Sequence, residues 1–240
     1  MRMRKKRRCA QRMAALSALF VKAESLSGEI FDEKKPLRLE IGCGKGDFIV
    51  KLSERDREYN YIALEKVEDV AVVAVEKYAK SRSLGSLDGQ GAWVNPEGER
   101  FDGTSWDIPL SLRGNVRFMC ADAANITEYL PEESLDAIYA NFSDPWPKKG
   151  YHNRRLTHPD FLKRYLKILK KGGTFTFKTD NRDLFEFSVE ALEGEECFDV
   201  TFITRDLHNS ERRDSNIMTE YERNFSEQGV NINCIEAVKK

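Results

Sequence analysis

The sequence predicts an α/β fold, a doubly wound and mostly parallel sheet of seven strands. Three observations carry that reading. Short apolar runs alternate with helical ones, which calls for parallel strands joined by crossovers. The first run opens into three alternate glycines, Gly42, Gly44 and Gly46. Acidic residues close successive runs: Glu40 and Glu65 at the ends of the first two, Asp122 and Asp144 just beyond later ones.

Taken in order, residues 10–24 read as one amphipathic helix behind a disordered basic tail. After a loop ending at Pro36, 37–41 is a strand, and a helix starts near Asp47, whose charge suits a helix N-terminus. Residues 60–65 form the second strand. The helix over 67–82 places Val70, Val73, Ala74 and Tyr78 near a 3.6-residue period. Strands follow at 115–120 and 135–140. The spacing predicts a helix over 158–171, stopped by Gly172 and Gly173, then a strand at 174–179 by strict alternation. The last two strands, 198–204 and 230–237, are expected to run antiparallel at one edge. Residues 1–36 are a basic tail and helix, and 37–240 form the main domain. Within it, 85–114 holds Trp93, Trp106 and six of the fifteen glycines, and reads as an inserted loop or hairpin with few buried contacts.

Net charge names no partner, because 39 Lys and Arg balance 40 Asp and Glu. Its distribution does: Arg2, Arg4, Lys5, Lys6, Arg7 and Arg8 precede the first acid, Glu24, and form a separate basic patch. Five cysteines, widely spaced and without a CxxC pair, argue against a disulfide framework or a zinc site and suit a reducing compartment. No metal and no membrane span are expected, the location is cytoplasmic, and the chain is a monomer or homodimer.

The stretch 141–156, Asn-Phe-Ser-Asp-Pro-Trp-Pro-Lys-Lys-Gly-Tyr-His-Asn-Arg-Arg-Leu, follows a buried strand and is stiffened by two prolines. It combines one acid, Asp144, a stacking indole, Trp146, and the cations Lys148, Lys149, Arg154 and Arg155. That set suits a polyanion bearing a planar base. At the glycine turn, Asp47 stands where a pyrophosphate would be repelled. The ligand is therefore a nucleoside without phosphate, its positive charge favoured by Glu40 and Asp47; S-adenosylmethionine fits. Glu65 is placed for both ribose hydroxyls, and Asp122 with the Ala123 backbone for an adenine amino group.

Four segments together resemble the tRNA (guanine-N7)-methyltransferase family in its bacterial single-subunit form: residues 40–46 (Glu-Ile-Gly-Cys-Gly-Lys-Gly), 141–156, 177–181 (Phe-Lys-Thr-Asp-Asn) and 217–222 (Ile-Met-Thr-Glu-Tyr-Glu). The resemblance implies a Rossmann-like S-adenosylmethionine-dependent methyltransferase fold and a guanosine of the tRNA variable loop as acceptor. By position it implies that Glu40, Gly42, Gly44, Gly46, Glu65, Asp122, Ala123 and Asp144 line the cofactor site. Lys148, Asp180, Thr219, Glu220, Tyr221 and Glu222 would meet the substrate, and Gly150, Tyr151, His152, Asn153, Arg154 and Arg155 the RNA. The 85–114 segment lies outside the family pattern, and Gly150-Tyr151 stand where that pattern is more basic.

Guanine N7 carries a lone pair and no proton, so methylation there needs alignment and charge stabilisation rather than a general base. Asp144 is expected to act in that way. Asp180 and Glu222 are the candidate readers of the guanine N1–H and N2 amine, with Thr219 holding their loop through its hydroxyl. Two alternatives stand beside this reading. One is an RNA-binding subunit that keeps the fold without catalysis. The other is an amino-group methyltransferase with a D-P-P-[YFW] loop, which Asp144-Pro145-Trp146-Pro147 does not match.

Overall fold

The computed structural model describes residues 5–22, 30–103 and 106–240. Nine strands and seven α-helices are defined among them. Seven strands form one sheet, in which 116–120, 60–65, 37–41, 135–141, 169–179, 233–239 and 198–204 lie side by side in that order, and the short strands 86–87 and 93–94 form a separate hairpin. Contacts divide the chain into two compact units, residues 1–36 with 43–123, and 37–42 with 124–240.

In the first unit, α1 (Cys9–Ala15) is followed by a 3-10 turn at Ser17–Leu19. The helix is shorter than the expected 10–24. Leu16 and Leu19 are fully buried, and Phe20 and Val21 leave the helix to bridge Phe118, with the Val21 N–H donating to the Phe118 carbonyl at 2.9 Å. Burial of that extended segment outweighs the propensity to continue the helix. Ala23 and Glu24 lie outside the described residues. So do the first four residues of the tail, while the Lys6 N–H donates to Asp69 at 2.6 Å.

The remaining elements are α2 (Asp47–Arg55), β2 (Asn60–Glu65), α3 (Glu68–Ser81), the hairpin of β3 (Ser86–Leu87) and β4 (Trp93–Val94), and β5 (Val116–Cys120). Strands β2 and β5 run parallel from Tyr61↔Val116 to Glu65↔Cys120. Arg12 of α1 is buried against Glu76 of α3, its Nε and Nη2 each 2.5 Å from one carboxylate oxygen.

The hairpin corrects the expectation of a segment with few buried contacts. Trp93 is 2% exposed. Gly85 permits this close approach, since a Cβ there would lie 2.1 Å from the Val94 carbonyl oxygen and 2.9 Å from Trp93 Nε1. Trp93→Leu should therefore destabilise the protein by about 1–3 kcal/mol in denaturant unfolding, and removal of 86–113 should lower the melting temperature. Unchanged midpoints would mean that the indole contributes nothing to the core.

In the second unit, β1 (Leu37–Ile41) pairs in parallel with β6 (Leu135–Asn141), and β6 with β7 (Leu169–Thr179). Two antiparallel pairings complete it: β9 (Asn233–Lys239) with β7, and β8 (Phe198–Thr204) with β9. The last strand thus lies a few residues beyond the expected 230–237. Helices α4 (Ile126–Tyr129), α5 (Pro159–Ile168), α6 (Arg182–Glu193) and α7 (Glu220–Ser226) belong to the same unit.

Helix α5 starts as the sequence suggests, with Pro159 in its first turn and His158 Nδ1 accepting from the Asp160 N–H. It ends early, however, at Ile168. Leu169 is fully buried and pairs with Leu135; the register then shifts before Ala137 meets Thr174. The intervening residues form a bulge in which Gly172 takes a left-handed φ of 78°. The two glycines shape a strand irregularity rather than a helix stop.

Candidate active site

The glycine turn leaves β1 with Gly42, Gly44 and Gly46 at φ of 71°, 57° and 77°, a region where a side chain is strained. A Cβ on Gly46 would meet Ala74 Cβ at 2.9 Å, so glycine there permits α2 to begin close to α3. At Gly42 no atom lies within 4 Å of a built Cβ, leaving that side of the turn open.

Glu65, at the end of β2, holds this turn. Its Oε2 accepts from the Gly44 N–H at 3.1 Å and its Oε1 from the Val67 N–H at 2.9 Å. Asp122 pairs with Lys66 Nζ at 2.5 Å, and buried Ala123 opens a 3-10 turn beside it. Asp47 pairs with Lys51 at 3.2 Å and Lys77 at 3.3 Å. Its negative charge is therefore locally offset, which weakens the expectation that it attracts a cationic ligand.

In the second unit, Glu40 is 2% exposed and its Oε1 accepts from Asn141 Nδ2 at 3.2 Å. Asn141 Oδ1 and Ser143 Oγ are buried and have no hydrogen-bond partner among the described residues, polar atoms of the kind that a bound ligand satisfies. The loop that follows is strained at two non-glycine positions, Phe142 at φ 53° and Trp146 at φ 42°. Asp144 lies between them and is exposed.

Neighbouring arginines in this loop differ in role. Arg154 is exposed, its guanidinium 4.9 Å from the Trp146 ring centroid and 4.7 Å from that of Tyr151. Lys148, Lys149, Gly150 and Asn153 are exposed around this stack, and half-buried His152 packs edge-on against Phe187. Arg155 is 5% exposed and donates to the Pro145 carbonyl at 2.9 Å, with its guanidinium 4.5 Å from the Phe187 ring centroid. Burial lowers its pKa. Arg155 clamps the loop from within and is not placed to touch RNA, contrary to expectation.

Tyr221 gathers the remaining candidates. It is 48% exposed, with ring centroids 5.0 Å from Phe142 and 4.7 Å from Phe225. Its phenol pKa is raised first by burial, then by the charges of Asp180 and Asp144, so both carboxylates act on this ring. Burial raises the pKa of Asp180 itself. Glu220, on the same helix, is exposed.

Glu222 faces the interior instead. Its Oε2 accepts from Lys178 Nζ at 2.9 Å, while its Oε1 lies 2.8 Å from His208 Nε2 and accepts from Asn216 Nδ2 at 2.6 Å. The side chain is fully buried. Direct reading of a base by Glu222 does not fit this geometry, because its carboxylate is paired with Lys178 in the interior. Thr219 is also buried and caps α7, its Oγ1 accepting from the Glu222 N–H at 3.0 Å.

Asn141, Phe142 and Lys178 stand in the quoted motifs without an assigned role, and His208 and Asn216 lie outside them. Lys178 carries a further signal, as a lone cation inside the alternating strand 174–179.

A family model with the description "Putative methyltransferase" matches residues 34–235. The tRNA (guanine-N(7)-)-methyltransferase of Lachnoclostridium phytofermentans is 40% identical over 214 residues, covering 88% of this chain and 85% of that protein. The protein of the same name from Listeria welshimeri is 37% identical over 241 aligned positions, covering 99% and 98%. Among solved structures, an antibiotic-related methyltransferase superposes with a TM-score of 0.55 at 14% identity, covering 93% of this chain and 96% of the other. The 16S rRNA methyltransferase KamB gives 0.55 at 12% identity, with 92% and 95% covered. Both structural matches show a shared fold.

Proposed function

This chain belongs to the tRNA (guanine-N7)-methyltransferase family, and from that premise we propose that it transfers a methyl group from S-adenosylmethionine to N7 of a guanosine in the tRNA variable loop. The observation that best supports the reading is the exposed Tyr221 ring packed on Phe142, which lies in a strained loop that displays Lys148, Lys149 and Arg154.

The residues suit the donor, which supplies an electrophilic methyl on a sulfonium. The open side of Gly42 admits a ligand close to the backbone, and Asn141 Oδ1 and Ser143 Oγ offer buried oxygens next to Glu40. Glu65 holds the glycine turn through the Gly44 N–H, which keeps its carboxylate at the end of β2 as the candidate for the ribose hydroxyls. Asp122 and the Ala123 N–H are the candidates for the adenine edge.

For the acceptor, no proton has to leave N7. Asp144 orients the base and stabilises positive charge as it develops on the purine. Tyr221 and Phe142 offer the base a stacking surface, and Asp180 is the candidate to accept from the guanine N1–H and N2 amine. The cations of the loop and the aromatic–arginine stack suit the RNA backbone and an unstacked neighbouring base. A cytoplasmic location and a monomeric or homodimeric state accompany the proposal.

The test is incubation with methyl-labelled donor and bulk tRNA, followed by nucleoside analysis. Label in 7-methylguanosine is expected; label in an exocyclic-amine product would favour an amino-group enzyme, and no label a binding subunit. Glu65→Ala should weaken donor binding by about 1–3 kcal/mol by calorimetry, because it removes the ribose acceptor and frees the turn. Unchanged affinity would place the donor elsewhere.

A further inference from the structure

The buried charges behind Tyr221 form a closed network. Lys178 Nζ donates to Glu222 Oε2 at 2.9 Å, to Asn216 Oδ1 at 2.9 Å and to the Ile217 carbonyl at 3.1 Å. Asn216 closes the triangle by donating to Glu222 Oε1 at 2.6 Å. His208 joins from outside through Nε2, 2.8 Å from the same oxygen, and its Nδ1 lies 3.1 Å from Ser226 Oγ. The Lys178 and Glu222 side chains are 4% and 0% exposed, whereas that of His208 is 21% exposed.

Such a network is a costly way to obtain stability. Two buried charges give up their hydration, and well-packed apolar residues of similar size commonly serve a fold as well. Its place in the chain indicates what else it does. The Lys178 carbonyl accepts the Phe142 N–H at 2.8 Å, and Lys178 is the register partner of Asn141. Phe142 is thus fixed at its backbone by Lys178 and at its ring by Tyr221, the residue preceding Glu222. A left-handed φ at a phenylalanine persists only where its surroundings over-determine it. Two residues later the loop reaches Asp144.

We infer that His208, Asn216 and Lys178 are positioning residues for methyl transfer. They lock Glu222 and, through the Tyr221–Phe142 contact and the Lys178 carbonyl, fix where the loop holds Asp144. This rests on the proposed role of Asp144 and Tyr221 and adds the group that sets their geometry. His208 is the member to test, since it lies at the edge of the network, touches neither Asp144 nor the Tyr221 ring in any observed contact, and can be changed without stranding Lys178.

The experiment compares wild type, His208→Ala and His208→Gln in the labelled-donor assay, with melting temperature and donor affinity measured on each. His208→Ala should lower kcat for tRNA by about tenfold to a hundredfold, the range for a small misplacement of a reacting group, with donor affinity unchanged. His208→Gln, whose amide can donate to Glu222, should recover most of that loss. Three results would overturn the inference: His208→Ala within twofold of wild type, no recovery in His208→Gln, or a kcat loss explained by the fraction unfolded at the assay temperature. A wild-type protein that makes no 7-methylguanosine would instead remove the functional reading itself.

Discussion

Asp144→Asn is expected to lower turnover about a hundredfold to a thousandfold, the loss typical when one preorganised charge-stabilising group is removed. The substitution keeps the size of the side chain and its place between the strained Phe142 and Trp146, and removes only the negative charge. Positive charge passes to the purine as the methyl transfers, so the missing carboxylate is felt in the transition state. Because N7 carries no proton, the wild-type rate should lack a tenfold rise per pH unit through a single titration, and the mutant should show the same profile at a lower level. A wild-type slope of that kind, absent from Asp144→Asn, would mean that Asp144 removes a proton and that the acceptor is not N7. Donor affinity measured on the same proteins separates a binding defect from a turnover defect.

Lys178→Ala should destabilise the second unit by about 3–5 kcal/mol, because it leaves the Glu222 carboxylate buried without its cation. The double variant Lys178→Met with Glu222→Leu should lie much closer to wild type in denaturant unfolding and yet be impaired in turnover. Equal losses in the single and double variants would show that packing, rather than the stranded charge, sets the cost. The pH dependence follows from the same contacts. Burial by itself raises the Glu222 pKa, but the charge of Lys178 and the hydrogen bonds from Lys178, His208 and Asn216 outweigh it, and the folded pKa is lowered. A carboxylate with a depressed folded pKa contributes stability that is complete above its unfolded value, about 4.3, and is lost as pH falls through the folded value. In Lys178→Ala that acid-side loss should shrink, since Glu222 no longer gains from ionising in the folded state.

The sequence was most legible where structure is local. Strand β2 occupies the expected 60–65 because an apolar run ends at a single acid. It was least legible where a distant partner decides. Leu169 continues the helical period of α5, but Leu135, far earlier in the chain, draws it into the sheet. Arg154 and Arg155 are indistinguishable as letters, yet one stacks on exposed rings and the other lies beneath the loop. Glu222 and Lys178 are 44 positions apart, so nothing near either residue indicates that they pair. Within the motif segments Arg155 and Glu222 are buried and held by internal contacts, while Thr219 caps its helix through the hydroxyl as its position suggests. At the N-terminus, the helical pattern over 10–24 gave way to a short helix because Phe20 finds Phe118.

The reacting atom can be tested with tRNA in which the accepting guanosine is replaced by 7-deazaguanosine. That base keeps the Watson–Crick edge and the stacking face and lacks only the N7 lone pair. The substituted tRNA should bind normally and accept no methyl group. Transfer at the rate seen with guanosine would place the reaction at an atom other than N7.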